Sequence, residues 1–234
     1  MRTAIRPAER LILALDVSQL TEMERLLDQV GDLASTVKIG LELYTAAGPA
    51  AVAAARRRGA AVFLDLKYHD IPATVERAVL AAGRLGVEFL TVHVAGGREM
   101  LRRAVGAAEG AVRLLGVTVL TSWDEASLAA EVGLRRNLSD QVLFWAELGR
   151  ECGLAGVVAS PQEAAAVKGR CGADFLVVTP GIRPAWAVRD DQRRVATPRA
   201  ALEAGSDYLV VGRPVTQAAD PREAIRRTLA EMAG

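Results

Sequence analysis

Short apolar runs recur along the whole chain: LILALD (11–16), TVKIG (36–40), AVFLDLK (61–67), FLTVHV (89–94), LLGVTVL (114–120), LAGVVAS (154–160), FLVVTPG (175–181) and YLVVGRP (208–214). Rich in Val, Leu and Ile, most are continuous rather than alternating, as in parallel strands covered by helices. Segments with helical spacing lie between them. LTEMERLLDQV (20–30) puts Met23, Leu26, Leu27 and Val30 on one stripe. Residues 48–59 end in arginines before a glycine, and 72–86 open with Pro72 and stop at Gly86. Further helices are predicted over 96–108, 137–153, 161–172, 198–206 and 221–234. Eight strand–helix units in 234 residues predict an α/β fold, a (β/α)8 TIM barrel forming a single domain over 1–234. A doubly wound open sheet is the rival arrangement. Extended loops interrupt the repeat after strands five and seven. The first (121–137) reads as a short extra helix and loop. The second (182–197) has few core positions and is long enough to cover a ligand.

Composition narrows the class. Hydrophobic residues make up 51% of the chain and charged residues 24%, which supports a packed core and argues against disorder. The net charge is +1 and no basic block or aromatic ladder occurs, so no nucleic-acid partner is expected and any anion site must be local. Cys152 and Cys171 lack CxxC spacing and read as buried thiols of a reducing cytoplasm. The N-terminal residues lead straight into a short strand rather than a cleavable signal, and no apolar run reaches membrane-spanning length. A cytoplasmic protein with no membrane partner is the expectation. The Asn137–Ser139 glycosylation pattern then carries no meaning.

The unusual polar residues gather where a barrel keeps its active site, at the C-terminal strand ends. Asp16 ends strand one, Lys38 lies near the end of strand two, and Asp65 and Lys67 end strand three. His93 ends strand four, Thr121 follows strand five, and Arg213 follows strand eight. Asp65 and Lys67 are two apart and share a face with Phe63, while Leu64 and Leu66 face the helices. Asp70 lies beyond the strand, just before the helix opened by Pro72, so its side chain need not face its own barrel. Each residue has a plainer reading: a structural ion pair for Asp65 and Lys67, a solvated Lys38, loop-amide bonding for Asp16. Taken together, a buried group of carboxylates and lysines is costly unless mutually paired, and such coupling points to catalysis. His69 and His93 lack metal-ligand spacing, and the lysines would repel a cation from a carboxylate site. At the other end of the cavity, Gly212 with Arg213, and the TPGIRP turn (179–184) with Arg183, suit a phosphate; Gln192 can donate from the next loop.

These residues, in this order, resemble the orotidine 5′-phosphate decarboxylase family. The match runs through LALD at Asp16, VKIG at Lys38, FLDLKYHDIPATV (63–75), HVAGG from His93, GVTVLTS ending at Ser122, VTPGIRP from Val178, DQRRVATP from Asp191 and VVGRPVTQA from Val210. Val94 is a small departure, where the family usually carries a smaller residue. The resemblance implies conversion of orotidine 5′-monophosphate to uridine 5′-monophosphate and CO₂, with no cofactor and no metal, through charge stabilisation at C6 of the ring. It implies that Lys67 is the proton donor, that Asp65 stands by the departing carboxylate, and that Lys38 and Asp70 complete an alternating network. Asp16 and Lys38 resemble ribose contacts, Thr121 a pyrimidine contact and Pro180 pocket wall. Arg183, Gln192, Gly212 and Arg213 resemble the phosphate end. A homodimer is implied, with Asp70 and Thr74 reaching the neighbouring site. Two alternatives share parts of the pattern. A metal-dependent decarboxylase of a keto-sugar phosphate would carry an acidic ligand in place of Lys38. A silent phosphosugar-binding barrel would bind nucleotide without turnover.

Overall fold

The computed structural model describes residues 6–187 and 196–234. Within them eight parallel strands run in chain order: β1 (Leu11–Ala14), β2 (Thr36–Gly40), β3 (Ala61–Tyr68), β4 (Phe89–His93), β5 (Arg113–Val117), β6 (Gly156–Val158), β7 (Leu176–Thr179) and β8 (Tyr208–Val211). Each pairs with the next, and β8 returns to β1 through Leu209↔Leu11 and Val211↔Leu13. That closure makes a barrel and removes the open-sheet alternative.

The helices are α1 (Pro7–Arg10), α2 (Leu20–Val30), α3 (Leu41–Ala47), α4 (Pro49–Arg57), α5 (Pro72–Gly83), α6 (Gly97–Ala108), α7 (Glu125–Val132), α8 (Leu138–Glu151), α9 (Pro161–Cys171), α10 (Pro198–Glu203), α11 (Arg213–Thr216) and α12 (Pro221–Ala233). Several begin on a side-chain cap. Asp124, Asn137, Ser160, Thr197 and Asp220 each accept an amide of the following turn. Asn137 thus has a structural task within its Asn-Leu-Ser triplet. No helix among the described residues is long and apolar enough to cross a membrane.

Strand continuity follows from two cores. Ile12, Ala14, Phe63, Phe89, Leu115, Leu176, Val178, Tyr208 and Val210 fill the barrel interior. Phe89 stacks edge-on to Phe63 and Tyr208, with ring centroids 5.9 and 5.3 Å away. This plug closes the lower barrel and leaves the cavity at the C-terminal strand ends. The other face of each strand packs on the helices, as Leu11, Leu13, Val37, Leu64 and Leu90 do. Both Cys152 and Cys171 are buried free thiols, which burial pushes above the usual thiol pKa.

Three features differ from the sequence expectation. The apolar runs of β1, β5, β6, β7 and β8 extend past the ladder, and residues beyond it, such as Val119, Pro180 and Gly212, line the cavity. Helix α3 follows β2 directly; only Leu43 of it is buried, so it shows no apolar stripe. The third feature is in β3. From Leu64↔Leu90 to Tyr68↔Val92, β3 advances four residues while β4 advances two. Two extra residues therefore bulge from β3, and Lys67 sits there with φ +51°.

Candidate active site

A cavity of about 260 Å³ opens at the C-terminal strand ends. Its base is apolar, formed by Phe63, Val158 and Val210. Asp16, Lys38, Asp65 and Lys67 enter from the β1–β3 side, and Arg183, Gly212 and Arg213 from the segments after β7 and β8. Thr121 and Pro180 complete the lining expected from sequence.

The charged side chains form a line. Lys38 Nζ donates to Asp16 Oδ1 at 2.7 Å and lies 3.8 Å from Asp65 Oδ2. Lys67 Nζ donates to the same Asp65 oxygen at 2.8 Å. Lys38 and Asp65 keep only 11% and 13% of their side-chain surface exposed, so either charge alone would carry a large desolvation cost. Alternation of sign removes most of it. Register explains the spacing: Ala14 pairs with Lys38 and Gly40 with Asp65, which staggers the three strand ends into neighbouring heights. Gly40 keeps the line open, since a Cβ there would lie 3.0 Å from Lys38 Nζ and 3.4 Å from Asp16 Oδ1. Gly212 does the same at β8, where a Cβ would meet Ala14 Cβ at 3.3 Å.

Lys67 reaches the line by an unexpected route. Regular two-residue alternation would place it on the face of Asp65, but the bulge has taken Lys67 off the ladder. A left-handed backbone on a side chain of this size costs about 1–2 kcal/mol. The displaced Lys67 amide donates to Thr91 Oγ1 at 2.8 Å, and that hydroxyl donates to Asp65 Oδ1 at 2.9 Å. Thr91 was not singled out from sequence. It lies on the inward face of β4, between Phe89 and His93, and its neutral hydroxyl gives no mark in the sequence.

His93 stacks on His69 with centroids 5.4 Å apart. Burial holds its pKa below the usual imidazole value, helped by the nearby charges of His69 and Lys67 and opposed by Asp65. Asp70 and Thr74 are not among the residues lining this cavity. Asp70 is exposed, its carboxylate accepting the Ile71 amide at 2.6 Å, and Thr74 sits in the first turn of α5. Gln192 lies outside the described residues. Among those residues, no three His, Cys, Asp or Glu side chains cluster as metal ligands.

Fold and site define a barrel enzyme whose cavity joins a fixed row of alternating charges to an arginine-lined end. Comparison with known proteins narrows that class. The profile of the Orotidine 5'-phosphate decarboxylase / HUMPS family matches residues 9–228. A protein of Moorella thermoacetica named Orotidine 5'-phosphate decarboxylase is 51% identical over 232 residues, spanning 96% of this chain and 92% of its own. One of the same name from Trichlorobacter lovleyi is 48% identical, with 92% and 91% covered. The crystal structure of Orotidine 5'-phosphate decarboxylase from Lactobacillus acidophilus superposes with a TM-score of 0.85 at 37% identity, covering 96% of this chain and 99% of that one. The chain belongs to the orotidine 5′-phosphate decarboxylase / HUMPS family.

Proposed function

We propose that this protein decarboxylates orotidine 5′-monophosphate to uridine 5′-monophosphate, a step of pyrimidine nucleotide formation that needs no cofactor. The observation that carries the reading is the Asp16–Lys38–Asp65–Lys67 line in one cavity with Gly212, Arg213 and Arg183. The C6–carboxylate bond breaks, its electron pair stays on C6, and CO₂ leaves. Little delocalisation is open to that pair, so fixed charge must stabilise it. The Lys67 ammonium faces the developing charge and delivers its proton to C6; the neutral amine regains a proton from solvent. Asp65 crowds the substrate carboxylate with like charge, a pressure relieved as neutral CO₂ forms. Asp16 and Lys38 hold the ribose, Thr121 and Pro180 the ring. Arg183, Gly212 and Arg213, with Gln192, hold the phosphate, whose binding energy aligns the ring.

Lys38 separates this reading from a metal-dependent one. Its ammonium occupies the space between two carboxylates that a divalent ion would need. We further propose a homodimer in which Asp70 and Thr74 complete the partner's cavity. Both stand outside their own chain's cavity, and Ile71 between them is 67% exposed, an apolar side chain suited to a subunit face.

Turnover of orotidine 5′-monophosphate in chelator-treated protein, followed by ultraviolet absorbance, tests the activity. Lys67→Ala should keep the wild-type circular dichroism yet lose at least about 10³-fold in single-turnover rate, the scale of a removed proton donor and electrostatic stabiliser. A folded Lys67→Ala protein turning over near the wild-type rate would defeat the assignment, and a strict Mg²⁺ requirement would favour the metal-dependent alternative.

A further inference from the structure

We infer that Thr91 is a positioning residue for the decarboxylation: its hydroxyl locks the bulged Lys67 backbone to the Asp65 carboxylate. The inference rests on the activity proposed above. Thr91 is fully buried on β4 and does not line the cavity, so it has no route to substrate. Its single oxygen nonetheless touches both partners of the Lys67–Asp65 pair. It accepts the Lys67 amide at 2.8 Å and donates to Asp65 Oδ1 at 2.9 Å, while Lys67 Nζ donates to the other carboxylate oxygen, Oδ2, at 2.8 Å.

Three hydrogen bonds close a ring through four groups: backbone of Lys67, hydroxyl of Thr91, carboxylate of Asp65, ammonium of Lys67. Each link removes one freedom. The ladder between β3 and β4 is interrupted from Leu64 to Tyr68, so the Lys67 amide has left regular pairing. The Thr91 hydroxyl gives that part-buried donor a partner and so stabilises the left-handed conformation at Lys67. The same hydroxyl fixes one carboxylate oxygen, which leaves the other facing both lysines. Side-chain methyl packing alone would do neither. The alignment of the proton donor is therefore set from β4, by a residue two positions below His93.

The test compares Thr91→Val, which keeps the shape and deletes the hydroxyl, with Thr91→Ser, which keeps the hydroxyl and deletes the methyl. Thr91→Val should lower kcat about 10–100-fold, the effect of a misplacement near 1 Å, with KM within about threefold. Hydrogen exchange at the Lys67 amide should accelerate in the same variant. Thr91→Ser should stay within about threefold of wild type in kcat and keep the amide protected, since the hydroxyl pairing is intact. A folded Thr91→Val protein losing less than about threefold in kcat overturns the inference, the margin expected for a pairing of no consequence. So does a Thr91→Ser protein as impaired as Thr91→Val, which would assign the effect to the methyl. Should Thr91→Val fail to fold, Thr91→Ser against Thr91→Cys decides: the hydroxyl should be at least about tenfold faster than the weakly bonding thiol, and equal rates overturn the inference. A wild-type protein without turnover defeats the proposed activity alone. Amide exchange at Lys67 then still judges the lock.

Discussion

Arg213 follows Gly212 where β8 leaves the ladder, and it shares the cavity with Arg183. A guanidinium there suits the forked geometry of a phosphate better than a ribose or a ring. Arg213→Ala should weaken nucleoside monophosphate binding by roughly 1.5–3 kcal/mol and leave the unphosphorylated nucleoside almost unaffected. Calorimetry with both ligands measures the difference; equal losses would remove the phosphate role. At this scale the sequence was informative wherever a charged side chain interrupts an apolar run, as at Asp16, Lys38, Asp65 and Lys67. It was silent where the same work falls to a neutral side chain. Thr91 in FLTVHV reads as an ordinary strand residue, because threonine is common in strands and its hydrogen-bonding partners lie 24 and 26 residues away.

Among the elements, α5, expected to reach Gly86, ends at Gly83, while α2 was legible to the residue over Leu20–Val30, and β2 over Thr36–Gly40. α3 was not, since it buries only Leu43, and the bulge of β3 was not, since nothing in the order of residues marks a change of register. The closed barrel also imposes demands that single strands do not reveal. Gly156 on β6 has no room for a side chain: a Cβ would lie 2.3 Å from the Leu176 carbonyl oxygen of β7. Backbone cannot yield there without parting the Gly156↔Leu176 pairing. Gly156→Ala should cost roughly 1–3 kcal/mol of stability, the usual range for overpacking. Chemical denaturation would measure it, and an unchanged midpoint would show that β6 and β7 separate more easily than the pairing implies.

For the molecule as a whole, the proposed sharing of sites between subunits, with Lys67 serving its own cavity and Asp70 the partner's, has a consequence for mixtures. Lys67→Ala and Asp70→Ala should each be inactive alone. After subunit exchange a heterodimer carries one site with both defects and one with neither, so activity should return toward half the wild-type value per heterodimer, diluted by remaining homodimers. Differently tagged subunits and mass spectrometry report the extent of exchange. Complete exchange without recovery, or full activity of Asp70→Ala alone, would place Asp70 outside the shared site. The bulge in β3 also bears on the entire barrel. Leu64 and Tyr68 bracket it, and both pack with Leu90 and Val92 in the core beneath the helices. An insertion of one residue would have exchanged lumen for helix layer along the rest of the strand. An insertion of two conserves parity. Lys67 can therefore stand off the sheet while Leu64 and Tyr68 on either side of it keep their places against the helix layer.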